Sequence, residues 1–375
     1  MAAHKNLWNS LTCRVTTVAI LICSISAPGW SQRADGGKRE LDVQTINLYV
    51  GSEFAPVTGL DPSDPAFGLK LLTGVATIYG RIAFSNFPVR ADALAQQVAR
   101  RLPDLIALQE VTLIRRQSPG DFVRGGSVPA ETVEADYLAI LMTALERNGA
   151  HYAVVSIAEH TDVEVPLATS PTTFDDLRLT DRDVILMRTD LPPGHLRVTN
   201  PLGGNFAASV PLPIGIDILR GWCSVDVQVR GRWFRFINAH LEEELPSFLP
   251  DIQTYQAAEI LSGPANTSLP VVLAGDFNSD AYGNYGPHPY PLLVGPGGFT
   301  DAWSVARRGV LGLTWGHDQF LADPSVAHVF RLDYVLYRGS IFEAEDAVPL
   351  DPMIGSAPPL WYSDHASVAV KLAIQ

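Results

Sequence analysis

Apolar and polar positions recur along this chain with two different periods, and the switches between them mark its elements. Leu94, Val98 and Leu102 fall on one face of a 3.6-residue period and predict a helix over 89–102. Residues 135–147 repeat that pattern and stop before Gly149, a residue suited to end a helix. A third helical stretch covers 250–261. Between them lie short apolar runs that predict strands at 42–50, 104–109, 152–157, 184–187, 224–229, 233–239, 271–274, 332–337 and 367–374, with Arg230–Gly231–Arg232 as a hairpin turn. The last strand alternates strictly, setting Val368, Val370, Leu372 and Ile374 against Ser367, Ala369, Lys371 and Ala373, whereas 105–108 is continuously apolar. Half-buried and fully buried strands in one chain predict an α/β sandwich with mixed sheets. Pro- and Gly-rich stretches at 51–68, 192–221 and 282–298 read as long loops of one domain, and loops of that length are often functional.

The first 32 residues obey another grammar. Lys5 and Arg14 precede an apolar stretch at 15–25, and the small residues Ser24, Ser26, Ala27 and Ser31 follow it. This is the pattern of a cleavable signal peptide, and the apolar run is too short to span a bilayer, so a secreted or periplasmic protein is expected, with an uncleaved anchor as the alternative. The expected mature domain is 33–375. Cys13 and Cys23 leave with the signal, so Cys223 stands alone, no internal disulfide is expected, and the thiol reads as one packed in a strand. With 47% hydrophobic and 18% charged residues, whole-chain disorder is excluded. Removing Lys5 and Arg14 leaves 25 basic against 40 acidic residues, a net charge of −15 in place of −13. That balance argues against a surface built for bulk nucleic acid.

The chemistry sits where strands end. Residues 105–109 run into Glu110, 236–239 into His240, and 271–275 into Asp276 and then Asn278. Asn47 interrupts the first strand, Asp333 opens another, and Asp364–His365 precedes the last. In α/β folds, residues just beyond strand ends line the cleft. Carboxylate and amide oxygens without cysteine are hard ligands that suit Mg²⁺ or Mn²⁺. A histidine oriented by an aspartate makes an acid or base that works near neutral pH. Together these parts describe metal-assisted attack of water on phosphorus.

Six segments in order, INLYVG (46–51), LIALQEV (105–111), FINAHL (236–241), LAGDFNSD (273–280), RLDYVL (331–336) and YSDHASVAV (362–370), resemble the endonuclease/exonuclease/phosphatase superfamily, which holds deoxyribonuclease I, exonuclease III, neutral sphingomyelinases and inositol polyphosphate phosphatases. The resemblance implies a four-layer sandwich, two packed mixed β-sheets flanked by helices, spanning nearly the whole mature chain. It implies Glu110 as main metal ligand, with Asn47 beside it and Asp364 completing the metal environment. Asp276 and Asn278 would position the water and the scissile phosphate. His365, polarised by Asp333, would act on the water or the transition-state oxygens. His240 would bind phosphate or protonate the leaving group, and a histidine there resembles the deoxyribonuclease I and sphingomyelinase side of the superfamily. Arg220 stands where deoxyribonuclease I has a phosphate-binding arginine; a surface charge is the plainer reading.

Other candidates carry plainer readings beside functional ones. Asp181 and Asp183 read as turn acids or as orienters of His240. Asp301 with Trp303 reads as structural. His160, Asp162 and Glu164 alternate on one face of an extended segment and read as solvated. His317 and Asp318 lie in a loop that could touch substrate. Glu242 to Glu244 read as a solvated helix start. The function expected is a Mg²⁺- (or Mn²⁺-) dependent phosphodiesterase acting on a phospholipid or small phosphodiester such as sphingomyelin, ahead of a nuclease and ahead of a catalytically silent binding module of the same fold. Residues 206–219 (FAASVPLPIGIDIL) are apolar enough to form a hairpin that enters a lipid interface, or to be buried.

Overall fold

The structure is a computed structural model and describes residues 39–212, 215–243, 251–285, 289–325 and 327–375. The segment expected to be a signal peptide lies outside the described residues. Sixteen strands are formed among those described: β1 (Arg39–Asn47), β2 (Leu105–Gln109), β3 (Leu113–Gln117), β4 (Thr132–Asp136), β5 (Tyr152–Ala168), β6 (Phe174–Arg188), β7 (Leu196–Asn205), β8 (Val210–Pro211), β9 (Asp217–Ile218), β10 (Gly221–Val229), β11 (Arg232–His240), β12 (Val271–Asp276), β13 (Thr300–Asp301), β14 (Asp333–Arg338), β15 (Phe342–Leu350) and β16 (Ser367–Ile374). The helices are α1 (Ala55–Thr58), α2 (Phe67–Ser85), α3 (Phe87–Arg101), α4 (Tyr137–Arg147), α5 (Ile252–Ser262), α6 (Tyr290–Val294) and α7 (Ala302–Ala306), with one 3₁₀ turn at Phe122–Arg124. No helix among the described residues is long and apolar enough to cross a membrane.

Two large sheets pack face to face. One has the order β15-β16-β1-β2-β6-β3-β4, with β5 also on β6; the other runs β13-β14-β12-β11-β10-β7. Both are mixed, since β1–β2 and β11–β12 are parallel and their other pairings antiparallel. Inward side chains such as Val43, Ala107, Ile185, Val225, Phe236 and Val370 form the core between the sheets. α3 and α4 cover the outer face of the first sheet through Leu94, Val98 and Leu141, and α5 covers the second through Ala257 and Ile260. The result is the expected four-layer sandwich. Each parallel pair needs a crossover helix, and the two crossovers (β1 through α1–α3 to β2, and β11 through α5 to β12) bring the carboxyl ends of two strands side by side in each sheet.

The loop expectations need correction. Residues 51–68 hold α1 and the start of α2, and 192–221 hold β7, β8 and β9. β5 and β6 extend far past their apolar centres, because their pairing runs from Tyr152↔Arg188 to Ala168↔Phe174 through polar residues. β7 contains Pro201, Gly203 and Gly204, which local propensity counts against a strand; it survives as the edge strand of its sheet among the described residues, paired with β10.

Candidate active site

The register of the strands assembles the site. Asn47 ends β1 opposite Gln109, and Glu110 follows immediately. His240 ends β11 opposite Asp276 of β12, and Asp276 in turn stands opposite Asp333 of β14. Gly275 makes this approach possible: with φ at +154°, a Cβ there would sit 1.9 Å from the Ala239 carbonyl oxygen. The two sheets are tied together directly beneath the site. Gln109 donates to Asn238 Oδ1 at 2.7 Å, and Asn238 donates to the carbonyls of Leu108 and Val184 at 2.8 and 3.1 Å. Buried amides in such a network fix the offset between the sheets.

The centre is an Asp276–Asp333–His365 cluster whose ligand atoms lie within 4.8 Å of one another. His365 Nδ1 is 2.9 Å from Asp333 Oδ2, and its Nε2 is 3.6 Å from Asp276 Oδ2. Asp276 Oδ1 accepts the Asn278 N–H at 2.9 Å, and its Oδ2 accepts the Asn47 amide at 2.9 Å. The same Asn47 amide donates to Glu110 Oε1 at 3.0 Å, while Glu110 Oε2 accepts the Val50 N–H at 2.7 Å. Asn47 thus ties the two carboxylates together, and its own oxygen accepts the Tyr49 N–H at 2.8 Å. Glu110 and Asn278 both hold left-handed backbone, φ 54° and 46°. Such strain in residues with side chains persists only where the surroundings impose it, and it gathers at functional sites.

The electrostatics divide the histidines. Burial opposes charge on His365, but Asp333, Asp276 and Asp364 outweigh it and hold the imidazole well above its ordinary value. His240 goes the other way. Burial, reinforced by Arg220, holds it well below that value. Its Nδ1 lies 3.2 Å from Arg220 Nη1 and its Nε2 3.2 Å from the Asn278 amide, with no exposed surface. One protonated and one neutral histidine in a single site is the separation that acid–base work needs.

The carboxylates are crowded. Burial raises Asp276 to about 6, Asp333 adding to the effect against His365. Burial also raises Glu110 and Asp364, with Asp181 adding to the first and Glu110 to the second. Glu110 and Asp364 face the cleft beside Asn278 and His365. An all-oxygen pair of repelling carboxylates, with no thiol near it, fits a hard divalent cation that would relieve the repulsion. Asp333 Oδ1 is buried without a partner, which marks the same centre as electron-rich.

Arg220 is in the site and ion-paired there: Asp181 lies at 3.2 Å, Glu242 at 3.5 Å and Glu243 at 3.9 Å. Asp181 therefore serves Arg220. Asp183 is fully buried and serves His160, 3.2 Å away, so neither acid orients His240. The reading of His160 as solvated is corrected: it is buried, with Nδ1 2.6 Å from Asn205 Oδ1. Asp162 and Glu164 are not free either, since Asp162 pairs with Arg178 and Arg115, and Glu164 accepts the Ala130 N–H. Glu242 is buried rather than solvated, its carboxylate on Arg220; Glu244 lies outside the described residues. Asp301 is structural, capping α7 at Trp303 N and pairing with Arg331 at 2.7 Å. His317 lines the cleft between Asp323 and Asp351, while Asp318 turns back onto its own loop.

Sequence reasoning missed Arg90. It is completely buried in α3 and donates to the carbonyls of Leu48, Tyr49, Ser85 and Tyr362, so it holds the loop after β1 against the segment carrying Asp364. The signal was present, because Arg90 lies four and eight residues before Leu94 and Val98 on the helix's apolar face.

The site opens into a cleft of about 500 Å³. Its walls carry Glu110, Asn278, Asp364 and His365, with Asp181 and Arg220, alongside many aliphatic side chains. Within residues 206–219, β8 and β9 pair as a short hairpin beside those walls: Val210 and Leu212 are buried against Ile252, and Leu212, Ile216 and Ile218 face the cleft. Pro213 and Ile214 lie outside the described residues.

The sequence matches the Endonuclease/Exonuclease/phosphatase family over residues 79–365. No curated protein matches it. Solved structures share the fold. An endonuclease/exonuclease/phosphatase family protein from Bacteroides thetaiotaomicron is 18% identical with a TM-score of 0.54, covering 90% of this chain and 96% of its own. A mannosyl-6-phosphatase from the same organism is 20% identical with a TM-score of 0.51, over 88% and 99%. A family protein from Beutenbergia cavernae is 18% identical with a TM-score of 0.50, over 90% and 72%. The chain belongs to the endonuclease/exonuclease/phosphatase family of phosphoester hydrolases.

Proposed function

We propose that this family member is a divalent-metal-dependent phosphodiester hydrolase, exported by its N-terminal segment, with a phospholipid or small phosphodiester such as sphingomyelin as substrate. The observation that carries the reading is the joined constellation of Asp276, Asp333 and His365 beside Glu110 and Asp364, which keeps every acid and base that hydrolysis needs. A catalytically silent module has no use for so many buried, repelling carboxylates. Glu110 and Asp364 would hold Mg²⁺ or Mn²⁺. Bound there, the ion supplies a Lewis acid that polarises a phosphoryl oxygen.

The chain's own residues do the rest. Protonated His365 donates through Nε2 to the phosphoryl oxygens and stabilises the charge that grows on them in the transition state, while the Asn278 amide, engaged with His240 Nε2 and the Leu241 carbonyl, fixes the floor of the site. Asp333 keeps His365 protonated and aimed. Water adds to phosphorus, and the ester oxygen leaves with the bonding pair and takes a proton from solvent at the open cleft. The proton given up by the water goes to Asp276, whose carboxyl near 6 is matched to work at neutral pH. Neutral His240 braces Asn278 from behind.

The test is hydrolysis of bis-p-nitrophenyl phosphate, sphingomyelin and plasmid DNA by the purified mature chain, with and without EDTA. EDTA-sensitive turnover of bis-p-nitrophenyl phosphate and sphingomyelin is expected. Absence of metal-dependent turnover on all three overturns the enzyme reading, and cleavage of DNA alone replaces the lipid substrate with a nucleic acid.

A further inference from the structure

The aliphatic arm of the cleft has no part in the chemistry at its polar end. α2 forms one wall with Leu71, Val75 and Ile78; the extended halves of β5 and β6 form the other with Val165, Leu177 and Leu179. These are six branched aliphatic side chains on three elements, facing a space continuous with Glu110 and His365. The arm exists because β5 and β6 run past the sheet's polar edge and α2 lies across them; the sheet topology alone would not require it. Val75, Ile78 and Leu177 are packed in one cluster with Leu71, Val165 and Leu179 against it, and an apolar ligand lying along the parts that face the cleft would gain dispersion contacts there. The lining is chemically mixed: it carries Glu53, Asp181, Arg220, Glu242 and Glu243 with Glu110 and Asp364, and the aliphatic side chains of α2, β5 and β6. A ligand that fits both halves has an anionic head and an apolar tail.

We propose that the arm takes the hydrocarbon chain of an amphiphilic phosphodiester, which enters tail-first between α2 and the β5–β6 ribbon and presents its phosphorus to His365 and Glu110. The inference rests on the phosphodiesterase reading and narrows it. The chain is held inside the protein during turnover, so the preferred substrate is a single-chain amphiphile more than a lipid left in its bilayer. Contact with the tail is the same before and during the reaction, so it tightens binding without changing the chemical step.

The experiment is a series of methyl, butyl and octyl p-nitrophenyl phosphates, each kept below its micelle concentration, with the wild-type mature chain and the variants Leu71→Trp and Val165→Trp. These residues face the arm from opposite walls and are only partly buried, so a larger side chain has the cavity to grow into. For wild type, KM is expected to fall with chain length, by up to about fourfold per buried methylene and at least about a hundredfold from methyl to octyl, with kcat constant within about twofold. In the variants the fall is expected to vanish while turnover of the methyl ester is unchanged. A KM independent of chain length in active wild-type enzyme overturns the proposal and leaves the hydrolase reading standing, whether the arm holds solvent or another part of the protein. Inactivity on the methyl ester as well refutes the hydrolase reading itself. Should a tryptophan variant fail to fold, the wild-type series decides alone.

Discussion

His365 gathers three carboxylates around one imidazole, and its behaviour follows from them. Asp333 touches Nδ1, and Asp276 and Asp364 add their field, so the ring is held toward its protonated form despite its burial. If the protonated ring is what stabilises the transition state, activity declines as pH rises through its raised pKa. Asp333→Asn removes the nearest of those charges. It should lower kcat and move the alkaline limb of the pH–rate profile downward, which a comparison of kcat/KM profiles checks; an unmoved limb would mean that another group sets it. His365→Ala and Glu110→Gln should each lower kcat about 10²-fold or more, as expected for loss of a charge-stabilising group or a metal ligand. These residues were legible in the sequence because they lie at strand ends, where packing alone has no need of acids. Their supports were less so. Arg90, Gln109 and Asn238 sit within apolar runs, and only the folded chain shows that their polar atoms meet carbonyls and amides across α3, β2 and β11.

β12 shows what one element must satisfy to place the candidate catalytic groups. It lies between β11 and β14, so it brings Asp276 level with both His240 and Asp333. Gly275→Ala places a methyl against the Ala239 carbonyl and must push β11 and β12 apart. On the order of 2–3 kcal/mol of stability should be lost, measurable by urea unfolding, as for other overpacked backbone contacts. A change below about 0.5 kcal/mol would show that β11 yields without cost. β2, β11, β12, β14 and β16 lie close to the limits their apolar cores predict, whereas β5 and β6 run well beyond theirs. α2 and β7 were not predicted. α2 carries Gly74 and Gly80, yet Val75, Ile78 and Ile82 give it a buried face, and Gly74 lies where a Cβ would meet the Pro56 carbonyl of α1 at 2.7 Å. β7 is held by its pairing with β10, against its own propensity. Tertiary contacts decided both, and a single sequence does not display them.

At the scale of the whole molecule, buried charge opposes stability at Asp104 and again at the active site. Asp104 is buried just before β2, accepting the Asp42 N–H, and burial pushes its carboxyl up to about 6 from an ordinary 3.8. A folded-state value above the unfolded one contributes stability that is fully present below about pH 4 and is lost as pH rises through 6. For a carboxyl displaced this far the loss approaches about 3 kcal/mol. Asp104→Asn keeps an acceptor for the Asp42 N–H and should flatten that decline between pH 4 and 7 in thermal unfolding; an unchanged slope would place its cause elsewhere. The second place is the active site, where burial and neighbouring carboxylates raise the proton affinity of Glu110, Asp276 and Asp364. There the conflict would have a use under the proposed function, since a divalent cation held by Glu110 and Asp364 would remove it. The measurement that bears most directly on the proposed metal-dependent chemistry is therefore a Mg²⁺ titration of chelator-stripped wild type and Glu110→Gln, followed by hydrolysis of bis-p-nitrophenyl phosphate. Saturable restoration of turnover in wild type, with a weakened response and little activity in Glu110→Gln, is the expected result. Full activity in stripped wild type, or an unaltered titration in Glu110→Gln, would contradict it.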